Sequence, residues 1–183
     1  MKIAGQSTLD ALAESIWPLI FDPRSLLQLL PGCDEMEQVG PDEYRGRMTL
    51  RIPAVSGTYS TWVKVLQAEP PCFCQIEGEA SGPGGSVRGQ ASFTLHPEGQ
   101  RTRIEYEADA RIAGPLAGMN ARFAEGVAQT LIRQGLGKLP GLARQPHAPS
   151  QESPTAEAEA ATDGAQRPGR WPQRVARRLA DRG

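Results

Sequence analysis

Between residues 44 and 112 apolar residues recur at every second position, row after row. Successive strand side chains point to opposite faces, so a period of two marks a strand with one buried face. The first rows are Tyr44, Gly46, Met48, Leu50, Ile52 and then Tyr59, Thr61, Val63, Val65. Cys72, Cys74, Ile76, Gly78, Ala80 follow, then Val87, Gly89, Ala91, Phe93, Leu95. Thr102, Ile104, Tyr106, Ala108, Ala110 and Ile112 complete the set. The clusters GPDE, PAVSG, EPP, SGPGG and HPEGQ set the rows apart, and each is rich in residues that reverse the chain. Tight turns join antiparallel neighbours. The pattern therefore demands a curved antiparallel meander, polar on one face and apolar on the other.

An apolar sheet face has to be covered. Ile3, Gly5, Ser7 and Leu9 alternate and predict a short opening strand. A helical stretch follows from about Leu12 to Phe21, with Pro18 placed to end or kink it. The stretch DPRSLLQLLPG predicts a second short helix, capped by Asp22, opened by Pro23 and stopped by Pro31-Gly32. The last folded element is expected over Leu116–Leu139. Leu116, Met119, Phe123, Val127, Thr130 and Leu131 share one helical face there, and Gly135 to Pro140 should fray and stop it. The economical packing is an α+β fold: a curved antiparallel sheet wrapped around a long C-terminal helix. The folded domain is expected to occupy residues 1–143.

The inward rows hold many small residues: Gly46, Gly78, Ala80, Gly89, Ala91, Ala108 and Ala110. A solid core at native density takes larger side chains. Together these positions predict room for an apolar guest along the helix. Singly, a strand glycine also marks a bend or a bulge.

Catalytic and metal-binding patterns are weak. The two histidines, His96 and His147, lie far apart in the chain, and neither adjoins a further ligand set. The Cys72-x-Cys74 spacing puts both thiols on one strand face, and they read as two inward thiols rather than a soft-metal site. SGPGGSVRG lacks the Lys-Ser/Thr ending of a phosphate loop and leads into a strand, so it is a hairpin turn. The pairs Glu77/Glu79 and Glu105/Glu107 fall on the outward face. No nucleophile has a base beside it in the pattern. These features favour a binding protein, and an enzyme would need a buried acid.

The formal net charge of −1 argues against a general nucleic-acid binder, which needs a broad basic surface. Residues 1–143 hold thirteen Lys and Arg against sixteen Asp and Glu, a net of −3. Residues 167–183 hold six arginines against Asp181 alone, a net of +5. Residues 144–168 lack large apolar side chains and read as a disordered linker. Residues 169–183 read as a basic amphipathic segment. On a helix, Trp171, Val175 and Leu179 fall on one side, while Arg174 and Arg178 are among the arginines mostly on the other. Tryptophan favours the headgroup layer, and each arginine near an anionic inner leaflet gains about 1 kcal/mol. A weak, reversible membrane contact is expected. A solvated basic end and docking on an acidic partner protein are the other readings of the same residues. No stretch is apolar enough to span a bilayer, and MKIAGQSTLD lacks the apolar middle of a secretion signal. The expected location is cytoplasmic, peripheral on the inner face of the cell membrane. The three cysteines fit a reducing compartment.

PGCDEMEQVGPDEYRGRMTLRI, VSGTYSTWVKVLQAEPP, GEASGPGGSVRGQASFTL and GPLAGMNARFAEGVAQTLI resemble the CoxG family, named for carbon monoxide dehydrogenase, over about residues 1–140. The resemblance rests on the order and spacing of Pro31-Gly32-Cys33, Gly57-Thr58-Tyr59, Pro70-Pro71, Gly78-Glu79 and Gly89-Gln90-Ala91. It implies a START-like helix-grip fold enclosing an apolar tunnel. It also implies a menaquinone-like quinone as bound ligand, and a molybdenum-containing carbon monoxide dehydrogenase or related hydroxylase as partner.

The expectation that joins the two lines is a non-enzymatic carrier that takes menaquinone from the membrane and delivers it to that dehydrogenase. Its tunnel would be lined by Tyr44, Met48, Tyr59, Phe93 and Tyr106 from the sheet and by Met119, Phe123 and Val127 from the helix. Aromatic rings there can stack on a quinone, and a tyrosine hydroxyl can donate to its carbonyl. A membrane adaptor or assembly factor for the dehydrogenase is the alternative. A helix-grip enzyme with a buried acid is the third reading.

Overall fold

A computed structural model describes residues 1–53 and 55–145. The elements run β1 (Lys2–Leu9), α1 (Ala13–Phe21), α2 (Pro23–Leu29), β2 (Cys33–Gly40), β3 (Glu43–Leu50) and β4 (Gly57–Glu69). Then come β5 (Phe73–Gly82), β6 (Gly85–Glu98), β7 (Arg101–Ala113), a 3-10 turn (Gly114–Gly118) and α3 (Ala121–Ala143). The remainder of the linker expected over 144–168 and the contact segment with Trp171, Arg174, Val175, Arg178 and Leu179 lie outside the described residues. Among the described residues no helix is long and apolar enough to cross a membrane.

All seven strands form one antiparallel sheet in the order β1-β7-β6-β5-β4-β3-β2. Strands β2 to β7 follow one another by hairpins, and β1 pairs with β7. The alternating rows lie side by side across it. Tyr44 faces Val63, Val63 faces Gly78, Gly78 faces Gly89, and Gly89 faces Ala110. The sheet carries α3 and the shorter helices, so the α+β fold is the one expected.

Three details differ from the sequence expectation. The alternation predicts no strand over 33–40, yet β2 is there. Its sequence CDEMEQVG is mostly exposed, because an edge strand with one neighbour need not alternate. Next, the helix expected from Leu116 begins at Ala121. Residues 114–118 form a separate 3-10 turn, and Asn120 caps α3 by accepting from Arg122 N at 2.9 Å. Finally, α3 runs through Pro140 to Ala143. Leu139 and Leu142 are both buried and hold the last turn in place, which outweighs the one hydrogen bond that proline removes. The proline in α1 behaves alike: Ile16 and Leu19 are buried on either side of Pro18, and the helix continues to Phe21. In α2 the expected cap is present, with Asp22 Oδ2 accepting from Ser25 N at 2.9 Å and from Ser25 Oγ at 2.7 Å.

The interior has two packing centres. The larger gathers Leu9, Ala13, Ile16, Leu19, Leu29, Leu95, Ile104, Leu139 and Leu142, where β1, α1, α2 and the C-terminal part of α3 meet. Gly135 belongs to this contact, since a Cβ there would come within 3.2 Å of the Leu29 carbonyl oxygen. The smaller centre is Val55, Tyr59 and Leu116, with Leu50, Ile52, Ala80, Val87, Ile112, Met119 and Val127 packed partly against it.

The cysteines divide. Cys74 is fully buried, and burial pushes its thiol up to about 11. Cys72 is exposed, contrary to the pair of inward thiols expected, because it closes the Glu69–Pro71 turn before β5 starts, with its N–H donating to Glu69 O.

Candidate ligand-binding groove

A groove of about 900 Å3 runs between the N-terminal two-thirds of α3 and the end of β3 with the turn that follows α2. One wall is Phe123, Val127 and Leu131, with Gly126, Thr130, Gln134 and Arg122 around them. The facing wall is Leu50 and Ile52, flanked by Pro31, Gly32, Asp34, Thr49 and Arg51. Helical spacing puts Phe123, Val127, Thr130 and Leu131 on one face of α3, which is why they meet the groove together. Leu50 ends β3, and Ile52 follows it in the turn.

The polar groups of the lining are unequally engaged. Thr130 Oγ1 donates back to Gly126 O at 2.7 Å. Thr49 Oγ1 donates to Asp34 Oδ2 at 2.5 Å and lies 3.2 Å from Thr58 Oγ1. Asp34 is the one carboxylate in the lining, and it is exposed. Apolar and polar groups share the lining, which suits a guest with an apolar body and a polar part. Among the described residues the lining holds no histidine, cysteine or paired carboxylate.

Of the residues expected to line a tunnel, Phe123 and Val127 line this groove. The others are placed elsewhere. Tyr44 is buried and its hydroxyl donates to Phe21 O at 3.0 Å, tying the end of α1 to β3. Burial pushes this hydroxyl up, with Asp42, Cys74 and Asp22 adding to the effect. Tyr59 is buried in the smaller packing centre and donates to Val55 O at 3.1 Å. Met119 packs against the same centre. Phe93 packs against the larger one, its ring 6.2 Å from that of Trp17. The half-buried Tyr106 lies over Gly5, where a Cβ would strike the phenol ring. Met48 is half-buried between Cys33 and Tyr59 in the register.

The strand glycines have a local explanation. A Cβ at Gly46 would come within 2.5 Å of Glu35 O, and one at Gly78 within 3.0 Å of Trp62 O. At Gly89 it would run into the Asp109 and Ala110 backbone. These residues let neighbouring strands coil closely, and the groove lies at another place. Sequence reasoning left Leu50, Ile52, Thr130 and Leu131 out of the site although all four stand in the rows it drew. Arg51, Arg122, Asp34 and Gln134 carried no periodic signal, since they rim the groove rather than fill it.

Solved structures share this architecture. A conserved protein from Geobacillus kaustophilus superposes with a TM-score of 0.75 at 26% identity, covering 78% of this chain and 95% of that one. A protein from Chromobacterium violaceum has a TM-score of 0.63 at 14% identity, covering 79% and 97%. A START superfamily protein from Mycobacterium smegmatis has a TM-score of 0.61 at 15% identity, covering 76% and 94%. The fold is START-like. No curated protein matches the chain significantly. The carbon monoxide dehydrogenase CoxG family matches over residues 5–139, nearly the whole of the described part, and the chain belongs to that family.

Proposed function

We propose that the chain is a non-enzymatic carrier of a hydrophobic ligand, a menaquinone-like quinone. It takes the quinone from the membrane and delivers it to a molybdenum-containing carbon monoxide dehydrogenase-type oxidoreductase. The observation that carries this reading is the open groove of about 900 Å3, walled by Leu50, Ile52, Phe123, Val127 and Leu131. Apolar side chains on its walls are unfavourable when left to water, and an apolar guest covers them. The family name supplies the partner: carbon monoxide dehydrogenase. The protein needs no redox group of its own, because a quinone carries the electrons.

The test is organic extraction of the protein purified from its native host, followed by mass spectrometry. A quinone at near-equal molar ratio is expected. A different stoichiometric lipid would replace the quinone and keep the carrier. Protein that neither brings out nor takes up any apolar molecule would overturn both.

A further inference from the structure

Arg51, just past β3, and Arg122, in the first turn of α3, stand on the two facing walls of the groove. Neither guanidinium has an ion pair or a side-chain hydrogen bond among the described residues. Arg47, Lys64, Arg88, Arg101 and Arg103 each find a carboxylate, whereas Arg51 and Arg122 are among the surface arginines that do not. Asp34 shares the lining, yet its carboxylate is engaged by the Thr49 hydroxyl and pairs with neither arginine. Among the described residues, two arginines without an ion pair thus flank a groove whose lining includes the exposed ring of Phe123.

We propose that the groove takes an amphiphile with a single anionic head, carboxylate or phosphate, held between Arg51 and Arg122 while its chain lies along Val127 and Leu131. This rests on the groove reading of the proposed function and not on the quinone, whose head is neutral. Both side chains are exposed, and guanidinium forks match both oxyanions.

The test titrates the delipidated full-length chain with dodecanoate, dodecyl phosphate and 1-dodecanol, which share one tail and differ in the head. Both anions should bind about tenfold more tightly than the alcohol, the size expected of one charge-assisted contact. In R51Q/R122Q that preference should vanish, so that the variant binds both anions no more tightly than it binds dodecanol. Both side chains are unpaired, so the variant should fold normally, and its basic C-terminal segment is unchanged. Equal binding of all three ligands by the wild type overturns the head site and leaves the groove. A preference that survives in R51Q/R122Q also overturns it, because the anion is then held elsewhere. Absence of binding by all three overturns the groove reading along with it. Inorganic phosphate should not displace dodecyl phosphate at equal concentration; if it does, the site recognises the free ion and the amphiphile is rejected.

Discussion

The two parts of α3 are built alike and used differently. Near its C-terminus Leu139 and Leu142 are 3% and 8% exposed, and Gly135 lets the helix close onto α2. Toward its N-terminus Phe123 is 43% exposed, and of residues 121–134 Ala124 alone is fully buried. Both stretches carry apolar residues at helical spacing. One spends them on the main core, and the other turns them to a groove. Periodicity locates a helix and its apolar face, but it cannot say whether that face meets protein or a guest.

The contrast can be broken by substitution. The largest effect should come from Leu139→Ala, which removes a fully packed side chain from the main core and should cost about 3 kcal/mol in urea denaturation. Leu131→Ala, on the groove wall, should cost less than about 1 kcal/mol. Equal losses would erase the distinction between the two parts.

Next comes the pH dependence set by Cys74, on the buried face of β5. Its folded thiol is raised to about 11, while an exposed cysteine keeps the ordinary value of 9.0. The unfolded chain therefore loses that proton first. The contribution is fully present below pH about 9 and is lost as pH rises from about 9 toward 11, by about 3 kcal/mol at most. Cys74→Val should flatten that part of the stability–pH curve, and an unchanged slope would deny the burial. Thiol labelling gives a second view: Cys72 should react in the native protein and Cys74 only after unfolding.

The smallest effect on stability is expected at the groove itself. Phe123→Asp should leave the unfolding free energy within about 0.5 kcal/mol of wild type, since the ring is already substantially exposed. The same change should abolish retention of the apolar ligand. A loss of several kcal/mol would mean that Phe123 is a core residue, and full retention would remove it from the site.

The period-two rows made the sheet legible, because one buried face leaves a mark at every second residue. Tyr44, Val63, Gly78, Gly89 and Ala110 line up across five strands as their positions imply. Strand β2 left no such mark, because Asp34, Glu35 and Glu37 sit on an edge where neither face needs to be apolar. Of the site, the helical wall was legible through Phe123 and Val127. Tyr44, Tyr59, Phe93 and Tyr106 have the ligand-lining chemistry but are engaged with Phe21, Val55, Trp17 and Gly5. An aromatic in an inward row fits a core and a pocket equally well, and only the tertiary partner separates them. Arg51 and Arg122 stayed hidden for the opposite reason: a rim residue follows no period.

In this reading residues 121–134 of α3 wall a ligand site while residues 135–143 anchor the fold. Amide hydrogen exchange along α3, with and without a short-tailed menaquinone, tests it most directly. Strong protection of 135–143 is expected in both states, with weaker protection of 121–134 that rises when the quinone is added. Uniform protection that the quinone leaves unchanged would contradict it.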